Sequence, residues 1–253
     1  MKELFNRENL QKACRFLPED RVFFAEESAS TNAAAKAWVL AGNTGAALFA
    51  AAAQTAGRGR MGKSFYSPPN RGVYFTFAQT LDRPENPVGV TCAAAVAVLR
   101  AIREICGVEC EIKWVNDLLY QGKKVCGILT EAVTLEDRFA LLVGVGVNLR
   151  PAEFPPELAG IAGSLQDENT PRAALIAGIA ERLLDLLKAP APEKWLEEYR
   201  RHSCVLGKRI VFFKNGAPTE GTALAVAEDG GLLVETANGT EILRTGEITL
   251  RLV

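Results

Sequence analysis

Residues 57–69 have the sequence GRGRMGKSFYSPP, and this stretch decides which folds remain open. Residues 57–64 satisfy the spacing of a P-loop, and residues 57–62 satisfy the glycine fingerprint of a dinucleotide-binding domain. Both motifs bind phosphate because a helix begins directly after the glycines and directs its free N–H groups at the ligand. Pro68 and Pro69 prevent a helix longer than one turn here. Neither a P-loop fold nor a Rossmann fold is therefore expected.

The same stretch is instead predicted to be a flexible loop that carries Arg58, Arg60 and Lys63. The paired N–H donors of arginine match two phosphate oxygens, and glycines between the cations allow a loop to fold over a ligand. A solvated basic loop is the alternative that this segment alone leaves open. Gln54 lies just before the loop, at the end of a predicted buried strand, where ligand-orienting polar groups commonly occur.

The hydrophobic pattern on either side of the loop predicts an α+β fold. Strands are predicted at residues 22–25, 46–53, 73–79, 112–115, 118–120, 125–132 and 139–147, and Gln121-Gly122 is predicted to form one hairpin turn. Helices are predicted at residues 31–41, 88–105, 171–187 and 192–202. After Gly207, short strands alternate with Asn-Gly and Asp-Gly turns, which predicts a small barrel of about five strands. We therefore expect a mixed β-sheet domain packed with helices over residues 1–205 and a small β-barrel over residues 206–253.

The composition of the 253-residue chain excludes several classes of protein. Hydrophobic residues make up 48%, too many for a disordered chain, and the net charge of −1 lacks the basic footprint of a nucleic-acid-binding protein. The six cysteines contain no C-x-x-C pair and the single histidine is His202, so no zinc site is expected. Free thiols and no visible signal peptide predict a cytoplasmic protein. A turn cluster at residues 42–45 interrupts the uncharged segment 37–57, so no membrane span is predicted.

A second polar cluster, residues 113–117 with the sequence KWVND, precedes a predicted strand. Lys124 begins the next strand, in which strict alternation places Lys124, Cys126 and Ile128 on one face and Gly127 on the other. A lysine that enters a buried strand must face solvent or pair with an anion, so Lys124 suggests an anionic partner. The alternative is that Lys124 is a solubilising charge on an edge strand. Gly127 within the strand suggests that another group approaches the backbone closely.

Gly144 and Gly146 alternate within a strand that ends at Asn148, which leaves one face of that strand bare. A flat ligand against this face is one explanation, and close contact with a neighbouring helix is the other. Together, the cationic loop, the strand lysine and the glycines indicate a site for a nucleotide beside a slim, partly apolar molecule. A serine-hydrolase site is not expected, because the sequence has no G-x-S-x-G motif and no spare histidine.

Five motifs occur in the order and spacing of the biotin–protein ligases, a family that this sequence resembles over essentially its whole length. They are STN at residues 30–32, QTAGRGRMG at residues 54–62, KWVND at residues 113–117, KVCGIL at residues 124–129 and GVGVN at residues 144–148. The combination of G-R-G-R-x-G and K-W-x-N-D is highly specific. Residues 246–251, GEITLR, resemble the end of that family's small SH3-like domain, so the predicted barrel is expected to be SH3-like.

The resemblance implies an ATP-dependent ligase that acts in two steps. Biotin and Mg²⁺-ATP would give biotinyl-5′-AMP and pyrophosphate, and the activated group would pass to one lysine of a biotin carboxyl carrier domain of a carboxylase. Neither zinc nor a flavin is implied. Too few residues precede the first predicted strand for a helix-turn-helix module, so a monofunctional ligase that does not bind DNA is expected. A monomer and a homodimer both remain open.

The resemblance also implies roles for individual residues. Biotin would contact Ser30, Thr31, Asn32, Gln54, Gly57, Arg58, Lys124, Gly127, Gly144 and Gly146. The nucleotide would contact Arg60, Lys63, Phe65, Asn116, Asp117, Asn148 and Arg251, with Asp117 as the expected Mg²⁺ ligand. Lys124, Arg58 and Arg60 are the expected catalytic residues, because cations stabilise the encounter of a carboxylate with the α-phosphate.

Two departures from the family pattern concern the nucleotide. Lys63 stands where the family often has arginine, and Phe65 stands where it usually has tryptophan. Phenylalanine can stack but lacks the indole N–H, so weaker nucleotide affinity is expected. A lipoate or octanoate ligase of the same fold is one alternative function, although those families lack the two specific motifs. A non-catalytic biotin-binding homologue is the other alternative.

Overall fold

Two β-sheets organise the chain. The computed structural model describes residues 4–82, 85–136, 138–188, 191–214, 216–244 and 248–250. The larger sheet contains β1 (Val22–Ser28), β2 (Ala46–Gln54), β3 (Gly72–Leu81), β4 (Glu111–Lys113), β5 (Asp117–Tyr120), β6 (Lys123–Thr134) and β7 (Phe139–Asn148). Its strand order is β1-β2-β3-β7-β6-β5-β4. Strands β1 and β2 are parallel and the other neighbouring pairs are antiparallel, which confirms the predicted mixed sheet.

Helices cover both faces of the larger sheet. They are α1 (Arg7–Ala13), α2 (Thr31–Leu40), α3 (Pro87–Ala101), α4 (Arg172–Lys188) and α5 (Leu196–His202). Helices α3 and α4 pack against each other and on the sheet, while α2 packs on β2, β3 and β7. A large hydrophobic cluster fills the α3 and α4 side, and a smaller one, which includes Val39 and Phe49, lies under α2. Because α2 is short, it covers only part of its face of the larger sheet.

The strands and helices that were predicted for the larger sheet and its covering helices are present, although their ends are shifted by a few residues. Helix α3 continues as one wider turn, Ile102–Cys106, where a single helix was predicted. Gln121 and Gly122 both have positive φ, 52° and 74°, which confirms the predicted hairpin turn. Helix α1 was not predicted, although Asn6 caps it by accepting a 2.9 Å hydrogen bond from the Asn9 backbone N–H.

A β-bulge in β6 corrects the expected position of one side chain. Leu118 pairs with Cys126 and Leu119 with Lys124, so Val125 is an extra residue on β6. An extra residue reverses the alternation on the far side of the bulge. The Lys124 Nζ atom lies 3.3 Å from the position that a Cβ atom on Gly127 would take. The prediction that Lys124 shares a face with Cys126 and Ile128 is therefore wrong, and Lys124 lies on the face of Gly127.

The smaller sheet follows α5. It contains β8 (Arg209–Lys214), β9 (Ala217–Val226), β10 (Leu232–Thr236), β11 (Gly239–Leu243) and β12 (Ile248–Leu250), in the order β11-β10-β9-β8-β12. Gly216, Gly230 and Gly239 at the predicted turns have positive φ. The expected small C-terminal β-structure of five strands is confirmed, and the described residues include no ladder that pairs β11 with β12.

The smaller sheet is fixed against the larger domain. The Trp114 indole N–H donates a 2.9 Å hydrogen bond to the carbonyl oxygen of Gly230, in the turn between β9 and β10. A Cβ atom on Gly230 would lie 3.0 Å from the backbone of Val88 and Gly89, at the start of α3. Ile210 and other apolar residues of the smaller sheet belong to the same hydrophobic cluster as α3 and α4. One core is therefore shared by the two sheets.

The cysteines are free thiols, as predicted, and all except Cys106 are buried. Burial raises the pKa of the Cys14, Cys92 and Cys110 thiols to about 12. These thiols are protonated at neutral pH. Within the described ranges, no helix combines the length and the apolar character needed to cross a membrane.

Candidate functional site

A cavity of about 510 Å³ lies between the larger sheet, the start of α2 and the loop that follows β2. It is lined by these predicted site residues: Ser30, Thr31, Asn32, Gln54, Arg58, Arg60, Lys63, Phe65, Asn116, Asp117, Lys124, Gly127, Gly144, Gly146 and Asn148. The structure thus brings together groups from five separate motifs. The register of the sheet explains this, because Gly146 pairs with Gly127 and Gly144 pairs with Leu129 across β7 and β6.

Two of the predicted site residues, Gly57 and Arg251, are not among the described residues that line the cavity. Gly57 is buried behind the loop, where its carbonyl oxygen accepts a 2.9 Å hydrogen bond from the Phe65 N–H. A Cβ atom on Gly57 would lie 2.5 Å from the Phe65 carbonyl oxygen, so this glycine allows two backbone segments to approach closely. Arg251 lies outside the described residues.

The floor of the cavity is the glycine face of β6 and β7. A Cβ atom on Gly146 would lie 2.4 Å from the Phe65 ring, and one on Gly127 would lie 3.1 Å from the same ring. A Cβ atom on Gly144 would lie 2.1 Å from the Asn32 Oδ1 atom. The bare strand face that the sequence predicted is therefore present, and the protein's own Phe65 and Asn32 side chains lie against it.

One end of the cavity is polar and buried. The Gln54 Oε1 atom accepts a 2.9 Å hydrogen bond from the Thr31 backbone N–H and lies 3.2 Å from the Thr31 hydroxyl. The Thr76 hydroxyl lies 2.8 Å from the Thr31 hydroxyl and 2.6 Å from the Asn32 Oδ1 atom. The Asn32 amide group in turn donates a 2.7 Å hydrogen bond to the Glu131 carboxylate. This end holds several hydrogen-bonding groups in fixed orientations.

Ser30 occupies the N-cap position of α2, but its hydroxyl makes no capping hydrogen bond to the helix. The side chain is only 4% exposed and lines the cavity. A buried hydroxyl normally finds a hydrogen-bond partner. The Ser30 hydroxyl is therefore available to a ligand at the polar end.

The cationic loop folds back on itself above the floor. The Gly59 N–H donates to the Lys63 carbonyl oxygen at 2.7 Å, and the loop contains only a single turn of 3₁₀-helix, Arg60–Gly62. The absence of a following long helix agrees with the rejection of a P-loop. The Arg60 guanidinium reaches across the cavity and lies 3.4 Å from the Asn116 side-chain oxygen. The loop thus places its cations opposite the KWVND segment.

Lys124 and Asp117 form an ion pair at this opposite side. Lys124 Nζ lies 2.7 Å from the Asp117 Oδ1 atom, and the two side chains are 29% and 21% exposed. The bulge at Val125 directs Lys124 into the cavity, beside the glycine floor. Asn116 is fixed by a 2.9 Å hydrogen bond from its amide group to the Ile128 carbonyl oxygen, and Asn148 by a similar bond to Gly163. The cavity therefore has a polar neutral end and a cationic end.

The donor atoms at the cationic end fit a magnesium ion that arrives with a phosphate ligand. Among the described residues, no three His, Cys, Asp or Glu side chains form a cluster that could hold a metal. Asp117 Oδ1 is buried and lacks a well-directed hydrogen bond within the described part, although Lys124 Nζ is close. Mg²⁺ commonly binds one or two carboxylates and otherwise water and substrate phosphate. A single carboxylate matches that pattern.

Several wall residues were not predicted from the sequence. Leu158, Ile161 and Phe154 come from the proline-rich segment after β7, and Ile248 comes from the smaller sheet. Thr76 and Glu131 complete the polar end from strand interiors. A threonine in the otherwise apolar run of β3 was the available signal for Thr76, since a fully buried hydroxyl needs a partner.

Comparison with known proteins identifies the class to which this fold and cavity belong. The sequence model of the "Biotin/lipoate A/B protein ligase family" matches residues 26–148, and that of the "Biotin protein ligase C terminal domain" matches residues 205–251. The second match agrees with an SH3-like C-terminal domain. The chain belongs to the biotin protein ligase family.

Individual relatives agree with this assignment. The biotin--[acetyl-CoA-carboxylase] ligase of Paracoccus denitrificans is 31% identical over 244 residues, which cover 87% of this chain and 96% of the relative. The bifunctional ligase/repressor BirA of Bacillus subtilis is 35% identical over 215 residues, 80% of this chain and 66% of that protein. The chain thus spans slightly less than two thirds of the Bacillus relative.

A solved structure has the same fold. The biotin protein ligase from Aquifex aeolicus, in complex with biotin and ATP, superimposes with a TM-score of 0.77 at 27% sequence identity. The match covers 91% of this chain and 98% of the Aquifex chain. The larger sheet, the helices and the small C-terminal domain are therefore a shared architecture.

Proposed function

We propose that this chain activates biotin with ATP to form biotinyl-5′-AMP and transfers the biotinyl group to a lysine of a biotin carboxyl carrier domain. The single observation that carries the proposal is one cavity with a buried polar end, a glycine floor and a cationic end. A bicyclic urea suits the polar end, a slim apolar chain suits the glycine floor, and a carboxylate suits the cations. The relatives' names agree with this reaction.

Biotin would lie along β6 and β7. Its urea ring would contact Ser30, Thr31 and Gln54, and its chain would run over Gly146 and Gly127. Because the Phe65 ring lies against both glycines in the described structure, this ring must move before the chain can occupy the floor. The loop that carries Phe65 would then close over the ligand and exclude water from the activated intermediate.

Adenylation requires two anions to meet. A carboxylate oxygen of biotin would attack the α-phosphorus of ATP, a new O–P bond would form, and the bond to the β-phosphate would break to release pyrophosphate. Arg58 and Lys124 would neutralise the carboxylate, and Arg60 and Lys63 the phosphates. Preorganised cations at a site where charge develops lower the barrier of such a step.

The nucleotide would occupy the cationic end of the cavity. Asn116 and Asn148 are held by backbone hydrogen bonds and would orient the ribose and phosphate groups. Phe65 would stack on the adenine ring after it leaves the glycine floor. Magnesium would enter as Mg²⁺-ATP, with Asp117 as its protein ligand, and would screen the phosphate charge. Arg251 remains a proposed nucleotide contact from the sequence.

Transfer completes the reaction. The uncharged amine of the carrier lysine would attack the acyl carbon of biotinyl-5′-AMP, form an amide, lose a proton and release AMP. Ile161, which lines the cavity and is 62% exposed, and Met61, which is 72% exposed on the cationic loop, are apolar residues that a carrier domain would cover. We further propose residues 1–205 as the catalytic domain and residues 206–253 as a domain that contributes Ile248 to the wall.

The test is pyrophosphate release from Mg²⁺-ATP by the purified chain, with biotin, lipoate or octanoate as the acid. We expect release with biotin alone, followed by labelling of an added biotin carboxyl carrier domain. Release that depends on lipoate would favour the alternative acid. Biotin binding without pyrophosphate release would identify a non-catalytic homologue.

A further inference from the structure

A chain of hydrogen bonds runs behind the polar end of the cavity and ends at a carboxylate that does not line it. We propose that Glu131, acting through Asn32 and Thr76, is a positioning residue that makes the Thr31 hydroxyl a hydrogen-bond acceptor toward the ligand. The site would thereby select a ligand with an N–H group at this point. The inference rests on the proposed function, because the ligand with that N–H group is the cyclic urea of biotin.

The first link fixes the Asn32 amide. One of its two terminal atoms lies 2.7 Å from the Glu131 carboxylate and 3.5 Å from the Leu129 carbonyl oxygen. A carboxylate and a carbonyl only accept hydrogen bonds, so the atom that faces them must be the amide nitrogen. The Asn32 oxygen must then face the other way, against Gly144 and toward Thr76.

The second link fixes the Thr76 hydroxyl. It lies 2.6 Å from the Asn32 oxygen, which can only accept, so Thr76 must donate its single proton there. The Thr76 oxygen is also 2.8 Å from the Thr31 hydroxyl. Because the Thr76 proton is already engaged, the Thr31 proton has two acceptors within reach, the Thr76 oxygen at 2.8 Å and the Gln54 oxygen at 3.2 Å, and we assign it to the shorter contact. Thr76 is fully buried, so no solvent relieves this constraint.

The third link concerns the atoms that face the cavity. The Gln54 oxygen is fixed as an acceptor by the Thr31 backbone N–H at 2.9 Å, and its amide nitrogen donates to Ser67 at 3.0 Å. With its proton directed at Thr76, the Thr31 hydroxyl presents only lone pairs to the Gln54 oxygen, 3.2 Å away. Two acceptor oxygens therefore stand side by side at the cavity wall.

This pair of oxygens has a chemical consequence. A ligand N–H that points between them gains two acceptors, whereas a ligand oxygen at the same place meets two lone pairs and is rejected. Removal of the Glu131 acceptor would free the Asn32 amide to turn over. The nitrogen would then donate to Thr76, and Thr76 would donate to Thr31. The Thr31 proton would turn toward the Gln54 oxygen and the cavity, so the two acceptor oxygens would no longer stand side by side.

The experiment compares biotin with its two cyclic carbamate analogues, in each of which one urea N–H is replaced by oxygen. Dissociation constants are measured by calorimetry for the full chain and for Glu131→Met, with Glu131→Gln as the variant that keeps an acceptor oxygen. Steady-state pyrophosphate release gives KM for biotin, KM for ATP and kcat. Glu136→Met removes an exposed carboxylate just beyond the same strand and serves as the matched control.

In Glu131→Met we expect biotin KM to rise about tenfold, with kcat and the KM for ATP changed less than about twofold. The preference for biotin over at least one carbamate should fall by about tenfold or more. Glu131→Gln should restore both values and Glu136→Met should change neither. Thr76→Val, which has the same shape without the proton, should lower the same preference if Glu131→Met does not fold.

An unchanged preference in Glu131→Met and in Thr76→Val would overturn the inference, even if biotin binds more weakly. Equal losses for biotin and both carbamates would show a purely structural role. A parent chain that binds no biotin would instead contradict the proposed function, so the two failures are distinguishable.

Discussion

Lys124 is the residue to which the proposed reaction assigns the most direct part. Its ammonium group lies 2.7 Å from Asp117 and beside the glycine floor, so in the proposed reaction it would stand between the biotin chain and the nucleotide. An incoming carboxylate and an α-phosphate would both be neutralised there. The exposed neighbour Lys123 points away from this cavity and offers a matched comparison.

Lys124→Met should lower the rate of biotinyl-5′-AMP formation by about 10²–10³, the scale of one lost transition-state donor. Biotin binding should weaken much less, because the polar end is intact. Single-turnover formation of the adenylate measures the first quantity and calorimetry the second. Lys123→Met should leave both unchanged. An unaltered single-turnover rate in Lys124→Met would remove Lys124 from the catalytic step.

The site residues differ in how visible they are in the sequence. Arg58, Lys124 and the paired glycines stand out because their chemistry is unusual for a loop or strand. Glu131 and Thr76 do not, because a single polar residue in a strand is common and its partners lie far away in sequence. Their role appears only when the strand register brings them to Asn32.

At the scale of single elements, β7 shows how a strand can be shaped for a ligand. Gly144 lies next to Thr76 of β3 and Leu129 of β6, so the Asn32 amide can lie directly on the strand backbone. Any side chain at this position would displace that amide. A Cβ atom on Gly160 would have nothing within 4 Å, so this glycine provides the control.

Gly144→Ala should weaken biotin binding by about tenfold or more and lower the free energy of unfolding by about 1–3 kcal/mol, because the new methyl group overlaps Asn32. Gly160→Ala should leave both unchanged. Calorimetry and urea denaturation measure the two effects. Normal biotin affinity in Gly144→Ala would show that the Asn32 amide does not shape the pocket.

Elements were more predictable from the sequence than their exact register. Strands and turns follow from alternation and from Asn-Gly and Gln-Gly pairs, and the structure contains them. The bulge at Val125 was not predictable, because an extra residue leaves no mark in a strand whose neighbours are apolar on both faces. Helix α1 was missed for a related reason, since its short amphipathic pattern gains its stability from packing on α4.

At the scale of the whole molecule, the two sheets depend on one another. Gly230 has φ of +84°, and its Cβ position lies 3.0 Å from the backbone of Val88 and Gly89. Gly216 has a similar φ of +80° with nothing nearby. A comparison of substitutions at Gly216 and Gly230 therefore separates the cost of a left-handed side chain from the cost of the tight contact between the two sheets.

Gly216→Ala should lower the free energy of unfolding by about 1 kcal/mol, through backbone strain alone. Gly230→Ala should lower it by about 2–3 kcal/mol, because the turn must also move away from α3. Urea denaturation of both variants measures the difference. Equal losses would mean that the contact at Gly230 contributes nothing to the docking of the smaller sheet.

The buried thiols predict a loss of stability at high pH. The pKa of the Cys110 thiol is raised by burial from its ordinary 9.0 to about 12, so the unfolded chain releases this proton first. The stability that this group contributes is fully present below pH 9 and is lost as the pH rises toward 12. Each such thiol should lower the free energy of unfolding by about 1.4 kcal/mol per pH unit in that window. Cys110→Ala should reduce the slope; an unchanged slope would contradict the shift.

Because of its hydrogen bond to Gly230, the Trp114 indole is a fluorescent probe of the contact between the two sheets. The Trp114 indole is 4% exposed, and its N–H group is bonded to the turn of the smaller sheet. If the smaller sheet moves away, this indole gains water and its emission shifts to longer wavelength. In a chain with Trp38→Phe and Trp195→Phe, the remaining emission therefore follows the docking of the C-terminal domain while ligands are added.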